Sequence, residues 1–136
     1  MPRKREEKMR EIIIIVLILI ITIVGAIITQ NYLNKSTDLV VGKLNNLKEN
    51  MKKEDIVQEN IKKEVEDVYN SWESVNEKWS TMILHDEIDL IEISLTKMKS
   101  KIESGDYDDS ISELDTAIFL LNHIKEKEKL CLKNIF

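Results

Sequence analysis

Residues 12–29 read IIIIVLILIITIVGAIIT, eighteen residues without a charge. As a helix rising 1.5 Å per residue the run is about 27 Å long, close to the thickness of a bilayer's hydrocarbon core. Five basic residues precede it (Arg3, Lys4, Arg5, Lys8 and Arg10). By the positive-inside rule they keep residues 1–11 in the cytoplasm and send residues 30–136 outside. The reading is a single-pass signal anchor in the cell membrane. A cleavable signal peptide is the rival, with Val24-Gly25-Ala26 as its small-residue site. Apolar character continues through Ile27 and Ile28, and no helix breaker precedes the site, which favours the uncleaved anchor. Both readings deliver the same domain to the same side.

Outward from this run the chain changes character. Residues 30–136 carry 15 Lys against 22 Asp and Glu, a net of −7. Phosphate binding needs the opposite sign, so nucleic acid is not an expected partner. Three Gly and one Pro in 136 residues leave few helix breakers, which points to an all-α fold. The single cysteine, Cys131, excludes an intramolecular disulfide. Its expected role is a small apolar side chain in the cluster Leu130-Cys131-Leu132.

Residues 30–36 read as a juxtamembrane linker, with Tyr32 as an interfacial anchor. Residues 37–136 then show helical apolar stripes. Val40, Leu44, Leu47 and Met51 form the first; Ile61, Val65, Val68, Trp72, Val75, Trp79 and Met82 form the second. Joined in register they miss only at Glu54 and Gln58. Either one long helix covers 37–84 or a hairpin turns near Lys53–Asp55. The hairpin is favoured, with Asp55 as N-cap and Gln58 as its capping-box partner. A third stripe (Ile88, Ile91, Leu95, Met98, Ile102) ends at Ser104-Gly105-Asp106, where Gly fits a helix C-terminus and Asp106 the next N-cap. A fourth runs Ile111, Leu114, Ile118, Leu121. A charged turn, KEKEK, and a short apolar tail ending at Phe136 follow, read as a strap across the bundle. A faint echo at an offset of 51 (Leu44, Leu47, Lys48, Met51 and Asp55 against Leu95, Met98, Lys99, Ile102 and Asp106) suits two stacked helical hairpins. The expected fold is a transmembrane helix followed by an extracytoplasmic antiparallel bundle of three to four helices.

Trp72 and Trp79, the His85-Asp86-Glu87-Ile88-Asp89 segment, Leu95 with Ile102, Gly105-Asp106, and Leu120-Leu121-Asn122-His123-Ile124 with the closing eleven residues resemble the domain-of-unknown-function family 4363 over roughly residues 40–136. That resemblance implies a small anchored helical domain of spore-forming Gram-positive bacteria. It implies no enzymatic activity.

Two groups of residues are candidates for chemistry or contact. His85 and Asp89 share a helix face at i, i+4, with Glu92 one turn on. If the third and fourth helices pair about Gly105, His123 comes to a similar height. His85, Asp89 and His123 are therefore candidate ligands for a divalent transition metal, against a bland reading as helix-junction and surface residues. Trp72 and Trp79 are expected in the core. Their alternative is an exposed aromatic strip for a partner helix, joined as a contact residue by Phe136. The acidic runs lack calcium-loop spacing. The sequence has no Gly-rich phosphate loop, nucleophile elbow or Cys–His pair, so neither enzyme activity nor a cofactor is expected. The expected function is an interaction module, an accessory subunit of another membrane protein or a homo-oligomer; the alternative is an extracytoplasmic ligand- or metal-binding sensor domain built on His85 and His123.

Overall fold

The computed structural model describes residues 2–135, which form four helices and no strand. They are α1 (Pro2–Met51), α2 (Gln58–Trp79), α3 (His85–Glu103) and α4 (Tyr107–Ile135). Contacts divide the chain into two compact units, Met1–Tyr32 and Leu33–Phe136. Helix α1 supplies the described part of the first unit and the first helix of the second.

In the first unit the apolar side chains from Ile12 to Ile21 are all exposed. None of the apolar window is buried against protein, so a core helix is not what this segment forms. Its one polar side chain in the middle of the run is internally satisfied. The Thr22 hydroxyl donates to the Ile18 carbonyl at 2.8 Å, the bond that an apolar surrounding demands.

The second unit is a helical bundle around the stripes. Val40, Leu44, Leu47 and Met51 are buried on α1, and Ile61, Val65, Val68, Trp72, Val75 and Trp79 on α2. Ile88, Ile91, Leu95, Met98 and Ile102 follow on α3. The cross-helix contacts run in opposite order between successive helices. Ser36, Lys43 and Asn50 of α1 meet Trp79, Asp67 and Glu64 of α2. Asp38, Lys48 and Met51 of α1 likewise meet Lys125, Asp115 and Ser110 of α4. The ion pairs among these lie on the surface, where each contributes about 0–1 kcal/mol. Burial of the stripes carries the fold.

The linker read at 30–36 is helical throughout, and its Leu33 and Ser36 are already core residues. The hairpin between the first and second stripes forms, with its turn over 52–57. The capping box does not. Helix α2 starts at Gln58 with Val57 at the N-cap and no side-chain cap. Gln58 is thus the first helical residue, two positions short of where a box partner must stand. Helix α2 also ends at Trp79, one turn earlier than the stripe through Met82 implies, and Ile83 takes the buried place beyond it.

Ser104-Gly105-Asp106 behaves as its residue types dictate. Gly105 has φ 78°, the Gly105 N–H reaches the Ile102 carbonyl at 3.0 Å, and the Asp106 N–H reaches Lys101 at 2.9 Å. These are the two bonds of a Schellman motif. The Asp106 carboxylate then accepts from the Asp109 N–H at 3.2 Å, capping α4.

The fourth stripe holds at Leu114 and Leu121 and departs from its reading at Ile111 and Ile118. Ser110, Leu114, Ala117, Leu121 and Ile124 are buried, while Ile111 and Ile118 are half-buried. Helices α3 and α4 approach most closely of all the described pairs, and the small buried side chains Ser94 and Ala117 suit that approach. The strap does not form. Helix α4 runs unbroken through KEKEK to Ile135, leaving Leu130, Cys131 and Ile135 exposed.

Candidate functional site

Among the described residues, no three His, Cys, Asp or Glu side chains are placed to hold a metal ion. His85 opens α3 and is exposed, as is Asp89 one turn on. Glu92 faces α2, where its Oε1 accepts from Asn76 Nδ2 at 2.6 Å. His123 lies on the exposed outer side of α4, stacked on Phe119 with ring centroids 5.8 Å apart and planes 17° from parallel. Similar height on a hairpin does not bring side chains together when one points to the solvent side of its helix. The expected grouping of His85, Asp89 and His123 therefore does not arise.

The two indoles are core residues. Trp72 is 3% exposed and Trp79 is fully buried, their rings packed edge to face at 5.8 Å and 77°. An exposed aromatic strip is not what they form, because the apolar side of α2 is turned into the bundle. Phe136 lies outside the described residues. The two Trp differ in one respect that the sequence does not reveal. Trp79 Nε1 donates to Ser36 Oγ at 2.9 Å, and the Ser36 hydroxyl donates onward to the Leu33 carbonyl at 3.1 Å. Trp72 Nε1 is buried and has no acceptor.

Trp72 lines a cleft of about 420 Å³ between α2 and α3, together with Tyr69, Glu73, Asn76, Glu92, Leu95 and Thr96. Its size falls within the range of small-molecule sites. The α2 contribution follows from spacing: Tyr69, Trp72, Glu73 and Asn76 stand at i, i+3, i+4 and i+7, one side of a helix. The Tyr69 hydroxyl is also buried without a hydrogen-bond partner. Thr96 faces it from α3, though no bond of ordinary geometry closes between them. Burial holds the Tyr69 phenol above its ordinary value of 10.0, and the nearby Glu103 and Glu92 carboxylates add to the rise. The outer face of the ring carries the Lys99 ammonium, 5.1 Å from its centroid.

Sequence reasoning missed this cleft. Trp72 reads as a core position, and nothing in the apolar stripe singles out Tyr69, Glu73 and Asn76 beside it. The pattern Tyr–Trp–Glu–Asn at helical spacing was the available signal, but only the position of α3 turns it into a concave surface.

A family-level comparison matches residues 27–135 to the family described as Domain of unknown function (DUF4363). No curated protein and no solved structure matches the chain.

Proposed function

Since this chain belongs to the DUF4363 family, whose description assigns no activity, we propose that it is a membrane-anchored, extracytoplasmic interaction module. The observation that carries the reading is the contrast between the two units. The apolar residues of 12–29 are left uncovered by protein, while residues 33–124 bury an apolar core of their own. An uncovered run of that length is satisfied by lipid. The basic residues before it set the N-terminus inside and an antiparallel bundle outside. The opposite order of contacts between successive helices supports that bundle.

The contact surface moves from the tryptophans to the outer side of α4. There Phe119 and Leu130 are exposed eleven residues apart, on one side of the helix. Large exposed apolar side chains on one side of a helix mark an interaction face more often than a bare surface. The occupant is another membrane protein or a second copy of the chain, and no enzyme activity is proposed.

Cys131 provides the test. It is the single cysteine and it is exposed. A membrane-impermeant maleimide should label it in intact cells, and the labelled chain should stay with the membrane after alkaline carbonate washing. Labelling only after permeabilisation would refute the topology. Affinity purification of the full-length chain in mild detergent then separates a stoichiometric partner from self-association.

A further inference from the structure

At one end of the second unit, α2 and α3 stop and α4 does not. Helix α2 finishes at Trp79, whose indole meets Ser36 of α1. Helix α3 begins at His85, and its Glu87 meets Lys127 of α4 at 2.8 Å. Two residues beyond that pair α3 gives out, while α4 runs on through Leu130 to Ile135, about 9 Å of helix. The inward phase of α4 runs on with it. Leu121 and Ile124 are buried, and Glu128, Cys131 and Ile135 continue them at spacings of 4, 3 and 4. Yet Cys131 is exposed, and Ile135 is 72% exposed. Leu84, in the loop between α2 and α3 at this same end, is 66% exposed.

This is also the end at which the apolar run of residues 12–29 joins the bundle. Asp38 and Lys48 of α1 pair with Lys125 and Asp115 of α4, ten residues apart on each helix. At that even antiparallel register Leu33 and Leu130 stand at one level, each five residues from the first pair. Thr29 precedes Leu33 by four residues of unbroken helix, a rise of about 6 Å. The polar layer on each face of a bilayer is about 5–8 Å thick. Charge follows the same division. Residues 125–135 carry four Lys against two Glu, whereas residues 33–124 carry 11 Lys against 20 Asp and Glu. A local excess of Lys on an acidic domain suits a layer of anionic lipid headgroups.

We propose that the end of α4 dips into the outer face of the bilayer, with Ile135 below the headgroups, Leu84 and Cys131 among them, and Lys129 and Lys133 on lipid phosphates. The long stems of the two lysines let their ammonium groups stay at the polar layer while the helix end sits in apolar surroundings. Resting on the anchored reading above, this contact gives the bundle a second hold on the membrane besides its covalent tether. It leaves the Phe119 side of α4 for a protein partner, and it keeps the Cys131 thiol within reach of an aqueous maleimide.

A nitroxide on a single cysteine measures depth in the full-length chain, reconstituted in vesicles of equal parts phosphatidylcholine and phosphatidylglycerol. Cys131 serves as it stands. In a Cys131→Ser background, Ile20→Cys, Asn122→Cys and Ile135→Cys supply the other positions. The ratio of accessibility to oxygen over accessibility to a water-soluble nickel chelate should rise from residue 122 to 131 to 135, several-fold in all. Residue 20 should give the highest ratio. Lys129→Glu with Lys133→Glu should lower the ratio at residue 135 several-fold, and an equal ratio would overturn the headgroup contact. A high ratio at residue 20 with residue 135 as low as residue 122 would overturn the proposal and leave the anchor standing. A low ratio at residue 20 would overturn the anchor and this contact together. Spin–spin broadening at residue 135 that disappears on dilution with unlabelled chain, at a ratio no higher than at residue 122, would assign the helix end to a second copy instead.

Discussion

Ser36 links the first and second helices through a single oxygen, accepting from the Trp79 indole and donating to Leu33. Ser36→Ala removes the acceptor and leaves a buried N–H unsatisfied, at a cost of about 1–3 kcal/mol. Urea unfolding followed by circular dichroism measures this directly. Trp79→Ala adds a cavity and should cost about 3–5 kcal/mol. A loss below about 1 kcal/mol would contradict the burial of the indole. Trp72→Phe offers the contrast, because it deletes a donor that bonds nothing in the bundle. It should therefore cost less than Trp79→Phe. At the surface, Lys101 hydrogen-bonds Asp109 and holds its carboxyl below the ordinary 3.8. A carboxylate with a lowered folded value stabilises at and above its unfolded value and loses that contribution as pH falls through the folded one. The difference between wild type and Asp109→Asn should accordingly be present at neutral pH and fade in acid below the ordinary carboxylate range.

The turn between α3 and α4 rests on one residue's conformational freedom. A Cβ at Gly105 would touch nothing, so the cost of Gly105→Ala is that of a positive φ alone, about 1–2 kcal/mol. Gly42 gives the opposite sign. It lies within α1 with open space around a built Cβ, and Gly42→Ala should raise stability by about 0.5–1 kcal/mol. Melting temperatures of the two variants should move in opposite directions. The same elements show what a sequence discloses. The stripes of α1, α2 and α3 were legible because large apolar residues at helical spacing can be hidden in only one way. Only half of the α4 stripe was, at Leu114 and Leu121; Ser110 and Ala117 carry no hydrophobic signature yet are buried, Ser110 against Met51 of α1. Cys131 and the closing apolar residues were misread for a related reason. KEKEK looks like a turn by charge, yet Lys and Glu are good helix formers and nothing in it stops α4. The candidate site was the least legible part. Histidine and carboxylate spacing along one helix says nothing of which way a second helix turns its own His123.

At the scale of the whole molecule, the boundary of the bundle is the reading that changes most. Leu33 and Ser36 belong to the core, so a chain begun at residue 37 lacks the Trp79 acceptor while one begun at residue 30 keeps it. The shorter chain should melt at the lower temperature, and equal melting would show that this first turn contributes nothing. The contacts of α1 with α4 carry a further consequence, for the order of synthesis. Asp38 meets Lys125 across 87 residues of chain. At roughly 5–20 residues per second of translation, the stripe of Val40, Leu44 and Leu47 waits on the order of 4–17 s for its last neighbour to be made. During that interval the side of α1 that α4 covers stays open to whatever binds such surfaces, and the amide protection of α1 should be complete only when the helix made last has docked.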